Sequence, residues 1–190
     1  MPTEHKNPLV ELLAQIGLEA DFIEELFVEG DWSFVIKLHA LFESLIGSLI
    51  LEELGRNELD DVVAHMGFND SKSGKVVTAR ALGLLTTSEK TFLTSLSTLR
   101  NKLVHNVEQT SFKFTALDEK SKNDFAKKFA LPLGLKNLQT NEPKMVLLAS
   151  AYEVMLGLHY RRSKTKKSFL IAALRDPQRS AIKTSVNPDA

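Results

Sequence analysis

The chain contains no cysteine among its 190 residues, and this excludes disulfide staples, thiolate metal sites and cysteine nucleophiles. It also has no charge excess, because Lys+Arg 24 balances Asp+Glu 24. A protein that held nucleic acid by bulk phosphate neutralisation would be expected to be basic. Tryptophan occurs once and tyrosine twice, whereas phenylalanine occurs 11 times, so the aromatic content suits a packed interior. No uncharged apolar run reaches the ~18 residues of a membrane span, and no membrane partner is expected. The polar start Met1-Pro2-Thr3-Glu4-His5-Lys6 lacks the apolar stretch of a signal peptide, which predicts a cytoplasmic protein. HExxH, GxSxG and GxGxxG are all missing. Gly67–Lys75 (GFNDSKSGK) superficially suggests a phosphate loop, but it spaces its glycines wrongly and places Val76 where a magnesium-binding hydroxyl belongs. Asp61 and His65 are i,i+4 neighbours with no third ligand nearby. The five scattered histidines specify no metal cage, so neither metal nor cofactor is expected.

What is present is helical periodicity. Pro8 opens a short apolar stretch, Phe22 to Phe27 spaces a second, and Trp32–Leu54 is a long apolar helix stopped by Gly55. Asn57 to His65, Ser71 to Leu85, Ser88 to about Val107, Asp118 to Ala130 and Lys144 to Tyr160 read as further helices, with Phe169–Leu174 extending or resuming the last. These predict an all-α, single-domain bundle of five to seven helices. Its divisions are an N-terminal helical extension (1–31), the bundle proper (32–160) and a basic helix end with a loose tail (161–190). Charge is graded along the chain. Residues 1–60 hold 13 acidic against 3 basic side chains, and residues 161–190 hold 8 basic against 2 acidic. A polyanion would therefore meet Arg161, Arg162, Lys164, Lys166 and Lys167, although cations at a helix C-terminus also complement its dipole.

Two internal positions carry chemistry. On the helix from Ser88, Arg100 lies about 40° from Leu96, within the stripe Phe92, Leu96, Leu99, Leu103 and Val107. A guanidinium there needs an anion. On the long helix, Ser33, Lys37, Ser44, Ser48 and Glu52 mark the wet face, while His39 and Glu43 point the opposite way. Glu43 is thus the expected core partner of Arg100, with His39 close by. A purely structural ion pair between two helices satisfies the same pattern.

The string Leu99-Arg100-Asn101-Lys102-Leu103-Val104-His105-Asn106 resembles the R-x4–6-H signature of the HEPN superfamily of small all-α proteins, with a polar residue after the Arg. The helix carrying His39 to Glu43 and the helical context ahead of the motif resemble that layout, over roughly residues 32–115. The mannitol operon repressor family is similar in helix spacing. The HEPN resemblance implies a metal-independent endoribonuclease, often a toxin or defence effector, working as a homodimer on RNA and in some cases held by an antitoxin or regulatory protein. His105 would then move a proton of the 2′-hydroxyl or 5′-oxygen, Arg100 would hold the phosphate, Asn101 would orient either, and Glu43 with His39 would support Arg100. The product would be a 2′,3′-cyclic phosphate. The resemblance also implies an alternative, a non-catalytic helical regulator, either of transcription in the manner of the mannitol operon repressor family or as a protein interaction module. Five residues separate Arg100 from His105, about 140° on an ideal helix, so they meet on one phosphate only if the helix loosens near Asn106 or a two-fold partner supplies a second set.

Overall fold

The structure, a computed structural model, describes residues 7–135, 138 and 142–175, without the side chains of 57, 107 and 164–175. Its α-helices are α1 (Pro8–Ala14), α2 (Phe22–Val28), α3 (Asp31–Leu54), α4 (Asp60–His65), α5 (Lys75–Ala81), α6 (Thr87–Val104), α7 (Glu119–Phe129) and α8 (Pro143–Arg175). No strand occurs among the described residues, and the all-α bundle expected from periodicity is what forms. It has eight described α-helices rather than five to seven, because short helices of two turns or fewer fill the connections.

α3 is the centre. Eleven of its residues, from Phe34 to Ile50, are buried, and it packs against α2, α4, α5, α6 and α8. Its length, and the mean hydropathy of 1.8 over an 18-residue window within it, would also suit a membrane span. The same apolar side chains form the middle of the core, as expected of a helix covered on most sides. Gly55 ends α3 in the left-handed region at φ 61°, where its N–H donates to Leu51 O. α6 begins two residues earlier than Ser88 would place it. Thr86 is the N-cap, its hydroxyl accepting from Glu89 N while Glu89 Oε2 accepts from Thr86 N, a reciprocal capping box. α6 stops at Val104 rather than Val107, and His105 is its C-cap.

The phenylalanines make a continuous ladder. Phe42 of α3 meets Phe92 of α6 at 5.5 Å, Phe92 meets Phe129 of α7 at 5.9 Å, and Phe129, Phe125, Phe114 and Phe112 follow in contact. Such pairs add about 0.5–1.5 kcal/mol each beyond their buried area. The N-terminal helices pack into the bundle. Leu9, Leu12, Leu13 and Leu26 belong to the same core as α3, and α1 packs on α8. Asp31 accepts from Phe114 N at 2.7 Å and pairs with Lys144 of α8 at 3.4 Å, tying the start of α3 to both distant segments. α8 continues without a break past Tyr160 to Arg175; the loose tail expected from Asp176 onward lies outside the described residues.

Candidate phosphate pocket

Three segments converge beside the middle of α3. α3 itself presents His39 and Glu43, the turn 67–74 presents Phe68, Asn69 and Asp70, and α6 presents Ser97, Arg100 and Asn101; together they line an open cavity of about 330 Å³. That volume lies at the low end for small-ligand sites.

The turn is built by its own side chain. Asp70 Oδ1 accepts from Lys72 N at 2.9 Å, Ser73 N at 2.8 Å and Ser73 Oγ at 3.1 Å, and these bonds hold the carboxyl below its ordinary range. The backbone donors at 72 and 73 are thereby engaged within the turn. Gly74 lies so close under Asp70 that a Cβ would come within 2.5 Å of its N and 2.6 Å of its O. Gly74→Ala is expected to shift this wall of the pocket and to destabilise the protein by about 1–3 kcal/mol, measured by urea unfolding.

Asn69 Oδ1 accepts from Thr94 Oγ1 at 3.2 Å, fastening the turn to α6 and leaving the Asn69 amide hydrogens unused by that bond. Arg100 Nη1 donates to Asn101 Oδ1 at 3.1 Å. Arg100 is half-buried at the edge of the helix's buried face, not within its apolar stripe. The helical wheel placed it too deep because its neighbours on that side, Ser97 and the 67–74 turn, form a polar cavity rather than core.

The expected Glu43–Arg100 pair does not form. Glu43 Oε1 instead accepts from Lys75 Nζ at 3.1 Å, and Lys75 is 5% exposed, with Ala64 O as a second acceptor at 3.4 Å. Lys75 reaches this carboxylate because it starts α5 on the face that also buries Val76 and Ala79, and Gly47 of α3 leaves room for its stem. Sequence reading missed Lys75; its i,i+4 relation to Ala79 on an apolar face was the available signal. The pair also walls off a second cavity of about 570 Å³ between the end of α1, α3 and α4.

His39 is buried as expected, at 6% exposure, with its ring against Phe68 at a centroid distance of 4.6 Å. Nδ1 is 4.0 Å from Glu43 Oε2, and Nε2 has no hydrogen-bond partner among the described residues. Burial lowers the pKa from its ordinary 6.5; Glu43 opposes this and Arg100 adds to it. The unfolded chain therefore takes up the proton first. His39 contributes stability that is complete above pH 6.5 and is lost as pH falls toward the lower folded value. In thermal melts from about pH 8 to about pH 5, His39→Gln is expected to flatten the acid decline relative to wild type.

His105 stands apart. It is exposed, its N–H donates to Asn101 O at 3.1 Å, and it is not among the residues lining the pocket. The helix does end there, and Asn106 is extended at φ −128°, so the loosening required near Asn106 is present although His105 does not line the cavity. Trp32 Nε1 donates to Leu103 O at 3.3 Å and anchors this end of α6 to α3.

The basic helix end is also partly committed. Arg161 pairs with Glu89 and donates from Nε to Leu84 O at 3.0 Å, and Arg162 pairs with Glu52. Burial lowers the Arg162 pKa while Glu52 opposes it. Both guanidiniums of this cluster are thus paired with carboxylates; the side chains of Lys164, Lys166 and Lys167 lie outside the described residues. His65 Nδ1 contacts Asp61 O, not its carboxylate, and no metal-holding group of His, Asp and Glu occurs among the described residues. No protein-family model, curated protein or solved structure matches the chain.

Proposed function

We propose that the chain is a metal-independent endoribonuclease of HEPN type that acts on RNA as a homodimer in the cytoplasm, subject to an antitoxin or another regulatory protein. One observation carries this reading. Two carboxylates line the cavity beside Arg100, yet Glu43 is occupied by Lys75 and Asp70 by its own turn. Arg100 forms no ion pair with a carboxylate among the described residues, and its described hydrogen bond is to the neutral Asn101. A half-buried guanidinium with no ion pair among the described residues suits an external phosphate, which it can grip with two parallel N–H donors.

On this reading Arg100 binds the scissile phosphate and stabilises the charge that develops on it, with Asn101 fixing the guanidinium plane. His105, exposed at the end of α6, exchanges a proton with the 2′-hydroxyl or the leaving 5′-oxygen, and an isologous two-fold dimer brings one chain's His105 to the other's Arg100. The 2′-oxygen forms a bond to phosphorus as the bond to the 5′-oxygen breaks, leaving a 2′,3′-cyclic phosphate. The purified protein is expected to cut single-stranded RNA in EDTA, and His105→Ala to reduce the rate at least about a hundredfold with the fold intact by circular dichroism. Undiminished cutting by that variant would refute the assignment. The separation of His105 from the pocket favours a second reading, a regulator that binds phosphate without cleaving it; RNA retention without product would support it.

A further inference from the structure

The geometry points to a second binding site, a cavity between α6 and α7 that takes a small aromatic carboxylate. It is independent of the phosphate pocket, with which it shares no lining residue. Leu99, Lys102 and Leu103 of α6 face it, whereas Ser97, Arg100 and Asn101 face the phosphate pocket; at 100° per residue the two sets lie on opposite sides of the helix.

The cavity measures about 280 Å³, near the lower limit for small-ligand sites, which suits an acid of one or two rings. Much of its lining is apolar and aromatic. Phe112 and Phe125, both half-buried, line it together with Leu99, Leu103 and Leu117. Phe114, buried and outside the lining, meets both rings edge to face, at 5.0 Å and 5.4 Å. The cavity thus opens on the last members of the phenylalanine ladder, and a ligand ring adds one more aromatic pair to that run.

The charge on this lining is cationic. Lys102 and Lys128 are both exposed, and neither pairs with a carboxylate among the described residues; Lys128 Nζ instead lies 5.9 Å from the Phe129 ring centroid. One carboxylate, Asp124, lines the cavity as well. It is paired with Lys127 at 3.5 Å, and Lys127 is not a lining residue, so this acid is offset from outside. What remains uncompensated is two ammonium groups, and the Gln109 side-chain amide can donate beside them. Exposed lysines alone mark no site, and neither does an apolar hollow. Two unpaired cations on an aromatic-walled cavity match a flat ring bearing a carboxylate, with the ring against Phe112 and Phe125 and the anion toward Lys102 and Lys128. An uncharged arene leaves the cations without an anion, and a short aliphatic acid leaves the ring contacts unmade.

The test is calorimetric titration of the full chain with 2-naphthoate, 2-naphthamide and acetate at low salt, with the naphthoate located by nuclear Overhauser contacts to the Phe112 and Phe125 ring protons. Expected are a dissociation constant of about 10–100 µM for 2-naphthoate, binding of 2-naphthamide at least about fivefold weaker, and no measurable binding of acetate. The double variant Lys102→Met with Lys128→Met changes two exposed positions and should lower the affinity for 2-naphthoate to that for 2-naphthamide. Asp124→Asn should tighten 2-naphthoate by about twofold, because the one acid on the lining is removed. No binding of 2-naphthoate, binding without contacts to Phe112 or Phe125, equal affinity for acid and amide, or an unchanged affinity in the double variant would each overturn the inference.

Discussion

Arg100→Ala is expected to lower RNA cleavage by about 10³-fold while moving the melting temperature very little. The two halves of this expectation have the same cause. Among the described residues Arg100 hydrogen-bonds only to Asn101, its neighbour in sequence, so its removal breaks no hydrogen bond or ion pair between elements and is expected to cost within about 0.5 kcal/mol. The loss of rate follows from removing a charged donor from a phosphate transition state; single preorganised donors are worth about 10²–10³ and a guanidinium offers two. Arg100→Lys should recover only part of the rate, since an ammonium restores charge but not the bidentate fork. Had Arg100 been locked to Glu43, the same substitution would strand a half-buried carboxylate and the damage would appear in stability. Cleavage assays and thermal melts on one preparation separate the two cases.

Arg161→Ala is expected to do the reverse, costing about 2–4 kcal/mol of stability with little effect on chemistry. Glu89 is 5% exposed and caps α6 through Thr86 N, so its carboxylate cannot retreat to water when its cation goes. Arg161, a quarter exposed, brings α8 to this point and also satisfies Leu84 O. Gly157 shows how closely the pair is packed, since a Cβ at that position would collide with Glu89 Oε1. For a chain of this length the loss corresponds to roughly 5–15 °C in melting temperature. The double variant Glu89→Met with Arg161→Met should be more stable than Arg161→Ala, because no buried charge is left alone. A change of less than about 0.5 kcal/mol in Arg161→Ala would show the pair to be solvated instead.

The elements with long periodic signals were legible in advance. α3 showed its wet and dry faces in part: Lys37 and Ser44 are exposed and His39 is buried, but Ser33, Ser48 and Glu52 of the expected wet stripe are half-buried, the last two beside Arg162 of α8. α6 was legible as a helix, but its ends were not, because the reciprocal bond between Thr86 and Glu89 outweighed Ser88 as a cap. The helix from Ser71 shrank to Lys75–Ala81 because Lys75 N and Val76 N, which a helix begun at Ser71 would bond to Ser71 O and Lys72 O, donate instead to Gly67 O and Phe68 O. In the site, a helical wheel can show that Arg100 and Glu43 face inward, but it cannot say which other chain segments arrive there. Lys75 and the 67–74 turn come from distant sequence, and they turn an expected ion pair into two separate groups on one cavity. Likewise Arg161 and Arg162 look like surface charge in a basic run, and only the approach of α3 and of the start of α6 reveals their partners.

The most direct test of the central claim, that Arg100 is held ready for an RNA phosphate, is the fate of an end-labelled RNA oligonucleotide incubated with the full chain in EDTA and analysed for its terminal groups. Products ending in 2′,3′-cyclic phosphate, formed by wild type and absent with Arg100→Ala at unchanged melting temperature, are the predicted result. The same products at the same rate from both proteins would contradict it.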